Sequence, residues 1–376
     1  MARVLVSVTN DLVNDQRVHK VCSSLAAEAW EVCLIGRRLK DSASIDNRTY
    51  QTRRFRLLFN KGALFYAEYN LRLFFFLLFT KSDVLHSNDL DTLLANFLVA
   101  KLRRKHLVYD THEYFTGVPE LQSRPLVRGI WKRIESWIFP HLNHLFTVNE
   151  SIASIYVDEY NKSLIPIRNI PLKVEEIKPI ERSELGYSPS DFLLVNQGTG
   201  INIDRGMEEL MEALRNLPSN VKLILIGKGD VIPKLKKEIS NSELKARVQF
   251  IDPLPYAEMM RITAMCDLGL SLDKDNNVNY RFSLPNKIFD YIRAGIPSLC
   301  TNLPELRNII ERYGNGILLE RCEPEQIKKG IEKARIEGKP SFLGGIKKAS
   351  KELYWEKEVL PMLDTYEKFR IGNNRY

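Results

Sequence analysis

The sequence predicts two parallel-sheet α/β domains joined by one linker. Three observations predict it. Short apolar runs alternate with helical patterns from the first residues onward. The alternation lapses over residues 163–191 and then restarts. The chain's 376 residues suit two domains of about 100–200 residues each. Strand–helix alternation of this kind implies parallel strands with right-handed crossovers.

"RVLVSVT" (3–9) reads as a strand. "DQRVHKVCSSLAAEA" (15–29) reads as a helix, with Val18, Val21, Cys22 and Leu25 on one face. Further strands are expected at "WEVCLIGR" (30–37), "DVLHSND" (83–89), "HLVYDTHE" (106–113) and "HLFTVNES" (144–151). "LDTLLANFLVAKLR" (90–103) is a helix between two of these, and another helix opens at Ser151. The stretch 163–191, rich in Pro, Ser and charge, reads as the linker. The second half repeats the theme: strands over 192–198, 221–230, 248–252, 266–273 and 296–301, and helices over 205–217, 231–239, 256–265, 287–294 and 304–312. The tail 349–370 reads as helical throughout.

A hydrophobic fraction of 44% and a charged fraction of 27% exclude a disordered chain. Five scattered cysteines (Cys22, Cys33, Cys266, Cys300, Cys322) show no C-x-x-C spacing, which points to reduced core thiols in a cytoplasmic protein rather than disulfides or zinc. The apolar run of "MARVLVSVTND" is too short for a signal peptide. No run of about 20 apolar residues predicts a membrane span; the longest candidate is "LRLFFFLLFTK" (71–81). The net charge is +8, with basic clusters at 48–56, 101–105 and 124–133. These are either solvated faces or a surface that meets something anionic. The segment 53–79 joins arginines to aromatics and leucines, the pattern of an amphipathic helix packed on a sheet or of peripheral contact with an anionic membrane.

Ligands of open α/β sheets sit at the carboxyl ends of strands, and two such domains create a cleft. Three strand ends in the second half carry Gly or a cation. In "NQGTGINIDRGMEEL" (196–210), Gly198, Thr199 and Gly200 precede Arg205 at a helix start. "IGKGD" (226–230) presents Gly227 and Lys228. "SLPNK" (283–287) brings Ser283, Leu284, Pro285, Asn286 and Lys287 to the start of the helix "KIFDYIRA". There Asn286 is a candidate cap and Gly295 the stop, or the helix N-terminus with Lys287 is a place for phosphate. Together the three ends suggest a nucleotide diphosphate site. Asp290 would accept hydrogen bonds from a ribose diol, or be an exposed first-turn acid favoured by the helix dipole.

"DRGMEELMEAL", "SLPNKIFDYIRAGIP" and "LPELRNIIERYGNGILLE" (303–320) resemble the C-terminal domain of glycosyltransferase family 4, retaining enzymes of the GT-B fold. "NDQRVHKVCSSLAAEAWEVCLIGR", "DVLHSNDLDTLLANFLVAKL", "LVYDTHE" and "FTVNESIASIY" resemble its N-terminal domain, in order. The resemblance implies an acceptor domain over 1–165, a nucleotide-sugar domain over 166–355, and a helix over 356–376 returning to the first domain. It implies transfer with retention from a nucleotide-sugar donor, such as a UDP- or GDP-sugar, to a glycan or lipid-linked acceptor, without metal or other cofactor and without nucleic acid. It places Arg205 and Lys287 on the diphosphate, Asp290 on the ribose and His112 against the donor sugar; His112, Arg205 and Lys287 are the catalytic candidates. Asn10, Asp15, Arg17 and His86 are expected on the acceptor side. The family's E-x7-E pattern is replaced by Phe282 and Asp290, and Thr199 stands where many members carry Arg. "DLD" (Asp89, Asp91) resembles a metal motif of another fold, but opens a helix here, where acids cap and complement the dipole.

Three rivals make different demands. A GT-B sugar-nucleotide epimerase needs a full set of catalytic acids, of which the chain offers few. A basic nucleic-acid-binding protein needs a recognisable module, and none is visible. A Rossmann oxidoreductase needs G-x-G-x-x-G after the first strand, which is missing.

Overall fold

The computed structural model describes residues 1–13, 15–45, 47–173 and 177–373. The chain divides into two compact units: Met1–Asn169 with Trp355–Tyr376, and Ile170–Tyr354. The first boundary lies a few residues beyond the expected 165/166. The stretch read as linker is partly built in: Ile170 is fully buried among the side chains of the second unit.

The first unit holds seven parallel strands: β1 (Arg3–Asp11), β2 (Glu31–Arg37), β3 (Gln51–Phe55), β4 (Val84–Asn88), β5 (His106–Thr111), β6 (His144–Thr147) and β7 (Ile165–Pro166). Their order is β3-β2-β1-β4-β5-β6-β7. β1 is a continuous apolar run because both its faces are covered. Val4, Val6 and Val8 pack with Val18, Val21 and Leu25 of the Gln16–Ala27 helix. Leu5 faces the other layer, with Phe65, Tyr69, Leu73 and Leu77 of the Gly62–Phe79 helix. That helix is long and apolar enough to span a bilayer by length and composition. It corresponds to the helix packed on the sheet that is one of the two readings of 53–79. Its four-residue stripe buried on the sheet makes it a crossover helix here.

The second unit holds six parallel strands: β8 (Phe192–Gly198), β9 (Val221–Gly227), β10 (Val248–Ile251), β11 (Leu268–Ser271), β12 (Ser298–Thr301) and β13 (Gly316–Leu319). Their order is β10-β9-β8-β11-β12-β13. In both sheets the order reverses beside the first strand: at β1/β4 in one unit and at β8/β11 in the other. Such switch points open crevices at the carboxyl ends of the strands.

Three stretches differ from expectation. The basic cluster 48–56 contains β3, an edge strand on which exposed Arg53 discourages pairing at the open edge, while Arg54 is paired with Asp11. The cluster 124–133 lies in the Pro125–Ile138 helix, which buries Trp131, Glu135 and Ile138. The tail is not one helix: Leu343–Glu352 ends before Leu353 and Tyr354, and the chain resumes as Trp355–Glu358 and Leu360–Asn373. The unit boundary falls at that break. Beyond it, the Trp355 indole N–H donates to Ser24 Oγ at 2.9 Å, and Glu358 receives Arg168 through paired hydrogen bonds of 2.8 and 2.7 Å.

Candidate active site

The β8/β11 switch point of the second unit gathers charge. β8 and β9 end in register at Gly198 and Gly227, with φ +133° and +131°. A Cβ on Gly227 would fall 1.8 Å from Gly198 O, whereas one on Gly198 would meet nothing within 4 Å. Glycine at 227 therefore lets the two loops touch, and Gly198 faces open space beside exposed Thr199 and Gly200. The Lys228 N–H donates to Gly198 O and the Ile201 N–H to Lys228 O, each at 3.1 Å. Lys228 itself is exposed.

Arg205 lies in the loop after β8 and donates through Nη1 to Asp273 Oδ1 at 2.7 Å. Its guanidinium stacks over Tyr280, 4.3 Å from the ring centre. Asp273 follows β11 and is buried. Lys287 Nζ donates to Asn196 Oδ1 of β8 at 2.8 Å. Burial lowers the Lys287 ammonium, Asp273 pulls it back up, and Arg205 adds to the lowering. Arg205 Nε, Asp273 Oδ2, Ser271 Oγ and Ser283 Oγ are buried polar atoms that make no hydrogen bond within the protein. Unsatisfied donors and acceptors of this kind fit a polar ligand.

The Lys287–Ala294 helix forms as the sequence predicts, closed by Gly295 in the left-handed region. Its start differs. Asn286 is helical and its side chain does not cap; the turn is closed by the Ile288 N–H on Pro285 O. The reading of Asp290 as an exposed dipole-compensating acid also fails. Asp290 is buried, accepting from Tyr256 OH at 2.7 Å and Gln197 Nε2 at 3.0 Å. Asp273, Asn196, Gln197, Tyr256 and Tyr280 were not anticipated. Asp273 was legible as an acid just past a strand end.

In the first unit the β1/β4 switch point carries a second constellation. Asp89, just past β4, has φ 57° and ψ 167°, a region almost confined to glycine. It is the N-cap of the Leu90–Arg103 helix but makes no capping bond. Its carboxylate turns instead to His112 after β5: Oδ1 accepts the His112 N–H at 2.7 Å, and Oδ2 lies 3.3 Å from Nδ1. His112 Nε2 lies 3.2 Å from Asn88 Oδ1 and 3.5 Å from Asp110 Oδ2. Burial works against the imidazolium, but Asp89 and Asp110 outweigh it and push His112 up to about 9. Asp91 is buried against the Thr9 hydroxyl, which donates to Oδ2 at 2.5 Å; burial and the neighbouring Asp89 push it up to about 7.

Two acceptor-side expectations are corrected. Arg17 is buried and clamps Asp110, through Nη2 to Oδ1 at 2.7 Å and Nε to Oδ2 at 3.2 Å. Burial alone would raise Asp110, but Arg17 and His112 hold it well below the carboxylate range. His86 is fully buried in β4 and shares a 2.7 Å hydrogen bond between Nδ1 and the Tyr366 hydroxyl. Burial pushes it down to about 4. His86 is internal because β4 is a central strand, and Arg17 because its helix packs it onto Asp110 at the end of β5. Asn10 is exposed at the end of β1, donating to Asp15 Oδ2 at 3.1 Å, while Asp15 caps the Gln16–Ala27 helix by accepting the Val18 N–H.

Two parallel-sheet units, each gathering charged residues at its switch point, are the fold class of GT-B glycosyltransferases. Comparison with known proteins agrees. The model described as "Glycosyltransferase Family 4" matches residues 16–172 and that described as "Glycosyl transferases group 1" matches residues 199–341; the chain belongs to these glycosyltransferases. It is 22% identical over 249 residues to an uncharacterized glycosyltransferase of Methanocaldococcus jannaschii, covering 64% of this chain and 62% of that one. It is 25% identical over 179 residues to the chitobiosyldiphosphodolichol beta-mannosyltransferase of Candida glabrata, covering 47% of this chain and 37% of that one. These matches thus span less than two thirds of the relatives' own length. The structure of Anabaena HepE in complex with UDP superposes with a TM-score of 0.76 at 15% identity, over 98% of this chain and 100% of that one.

Proposed function

We propose that this protein is a retaining hexosyltransferase that moves a sugar from a UDP- or GDP-sugar to a glycan or lipid-linked acceptor. The setting we propose is bacterial surface polysaccharide synthesis in the cytoplasm, at the inner face of the membrane. The observation that carries the reading is the pair of anchored cations, Arg205 on Asp273 and Lys287 on Asn196, at one switch point. When the sugar departs, charge develops on the leaving diphosphate. Fixed cations held in place beforehand stabilise that charge without reorganising. Arg205 Nε has no protein partner and Lys287 is held by a neutral amide, so both can turn charge to phosphate. No metal is needed in this scheme. Asp290, oriented by Tyr256 and Gln197, would face the ribose hydroxyls.

Retention is favoured by the state of the acids at the β1/β4 switch point. Asp110 is clamped by Arg17, Asp89 by His112, and His112 is protonated at neutral pH. None of these three is a ready base for the acceptor hydroxyl; in this reading the departing phosphate oxygen takes its proton. His112 instead donates hydrogen bonds. The UDP carried by HepE and the lipid diphosphate in the mannosyltransferase's name suggest the donor base and the acceptor class.

The test is nucleotide-sugar turnover on a panel of UDP- and GDP-sugars in EDTA, with the product anomer read by NMR. Turnover with the donor's anomeric configuration kept supports the reading. An inverted product overturns retention, and loss of turnover in EDTA overturns metal independence.

A further inference from the structure

A basic cavity lies at the other end of the first sheet. The amino ends of β5 and β6 and the carboxyl end of the Leu90–Arg103 helix enclose a cavity of about 270 Å³. Its basic lining is Lys101, Arg104, Lys105, His106, His141 and His144, joined by the neutral amide of Asn143, with no Asp or Glu among the lining residues. Asp83, the carboxylate acting on His106, already accepts the Arg3 amide at 2.8 Å. Lys368 adds a further positive charge beside His144.

The imidazoles are fixed by packing. His106 stacks on Phe369 at 4.4 Å, His144 meets the same ring edge-on at 4.6 Å, and His141 stacks on Phe97 at 5.9 Å. Burial and neighbouring positive charge lower His106 and His144, so the fixed charge of the cavity comes from Lys101, Arg104 and Lys105, and it would attract an anion. Phosphate, with its several acceptor oxygens, fits that lining.

The rim argues for what carries the phosphate. Leu98 is 39% exposed, Leu102 66% and Trp137 53%. Leu98 and Leu102 share one helical face with Lys101 between them, and Trp137 packs edge-on against Phe97 beside them. Arg103 ties this helix end to Leu77 O and Thr80 O at the end of the Gly62–Phe79 helix. That helix exposes Leu71, Phe75 and Phe79. Apolar side chains and an indole around a cationic pocket match the layering of a lipid surface, with phosphate above acyl chains.

We propose that this pocket binds the phosphate of an anionic phospholipid head group and anchors the first unit on the membrane. The strand length separates it from the Asp89–His112 end by about 17–20 Å, so it is distinct from the candidate active site. The proposal rests on the membrane-surface part of the reading above but not on its donor chemistry.

The test is co-sedimentation of the full chain with phosphatidylcholine vesicles and with vesicles in which part of that lipid is phosphatidylglycerol. Wild type should bind the anionic vesicles selectively. The triple variant Lys101→Ser, Arg104→Ser, Lys105→Ser should bind them at least about tenfold less tightly, and Trp137→Ser should also weaken binding, with UDP or GDP affinity and melting temperature unchanged in both. Equal vesicle binding by wild type and the triple variant, or no binding by folded wild type, would overturn the proposal. Calorimetry with glycerol 3-phosphate supplies the remaining arm: binding of that soluble phosphate without vesicle binding overturns the lipid assignment.

Discussion

Asp89 Oδ1 accepts the backbone N–H of His112 at 2.7 Å while its Oδ2 faces the ring of the same histidine at 3.3 Å. The contact holds Asp89 in a backbone conformation that costs on the order of 1–3 kcal/mol. That strain is offset where a histidine must be fixed in orientation and charge.

The pH dependence of stability follows from His112. Its folded value, about 9, lies above the ordinary histidine value of 6.5. A raised value means the stabilisation is full below the unfolded value and is lost as pH rises through the folded one. Between about pH 6.5 and 9 the folded state binds the extra proton, so stability falls with rising pH. Urea unfolding should show this fall in wild type and a flatter profile in His112→Asn. Parallel profiles would count against the Asp89–His112–Asp110 pairing.

Arg17→Ala should destabilise the first unit by up to about 3–5 kcal/mol, because it removes the paired hydrogen bonds to the buried Asp110 carboxylate and leaves only His112, at 3.5 Å, beside it. The change should appear in the denaturation midpoint. A variant as stable as wild type but deficient in acceptor binding would restore Arg17 to the acceptor side.

Two glycines separate backbone conformation from close approach. Gly295→Ala places a Cβ in open space at φ +70° and should cost about 1 kcal/mol. Gly227→Ala drives its Cβ onto Gly198 O as well. It should cost several times more and disturb the loop that carries Gly198. Thermal unfolding of the two variants side by side checks the ordering.

Much of the fold was legible because buried parallel strands are continuous apolar runs: 192–198 and the 256–265 and 287–294 helices fall where the sequence puts them. β3 was hidden because an edge strand carries charge in place of apolar alternation, whereas the Pro125–Ile138 helix does carry helical spacing, at Trp131, Glu135 and Ile138, behind a basic cluster that drew the reading to charge. In the candidate site, residues on glycine loops and helix starts were readable from local chemistry. Partners such as Asn196 with Lys287, or Asp273 with Arg205, come from strands far apart in sequence. Arg17 and His86 were misplaced for the same reason: one chain position does not reveal that Asp110 and Tyr366 close over it.

The central claim is the nucleotide site at the β8/β11 switch point, and calorimetric titration tests it most directly. UDP, GDP, ADP and NAD would be titrated, with EDTA present, into wild type and Lys287→Ala. The account predicts selective binding of UDP or GDP, weakened about 10–100-fold in Lys287→Ala by loss of a charge-assisted contact, with the melting temperature unchanged. Equal affinity in the two proteins, or binding of NAD alone, would contradict it.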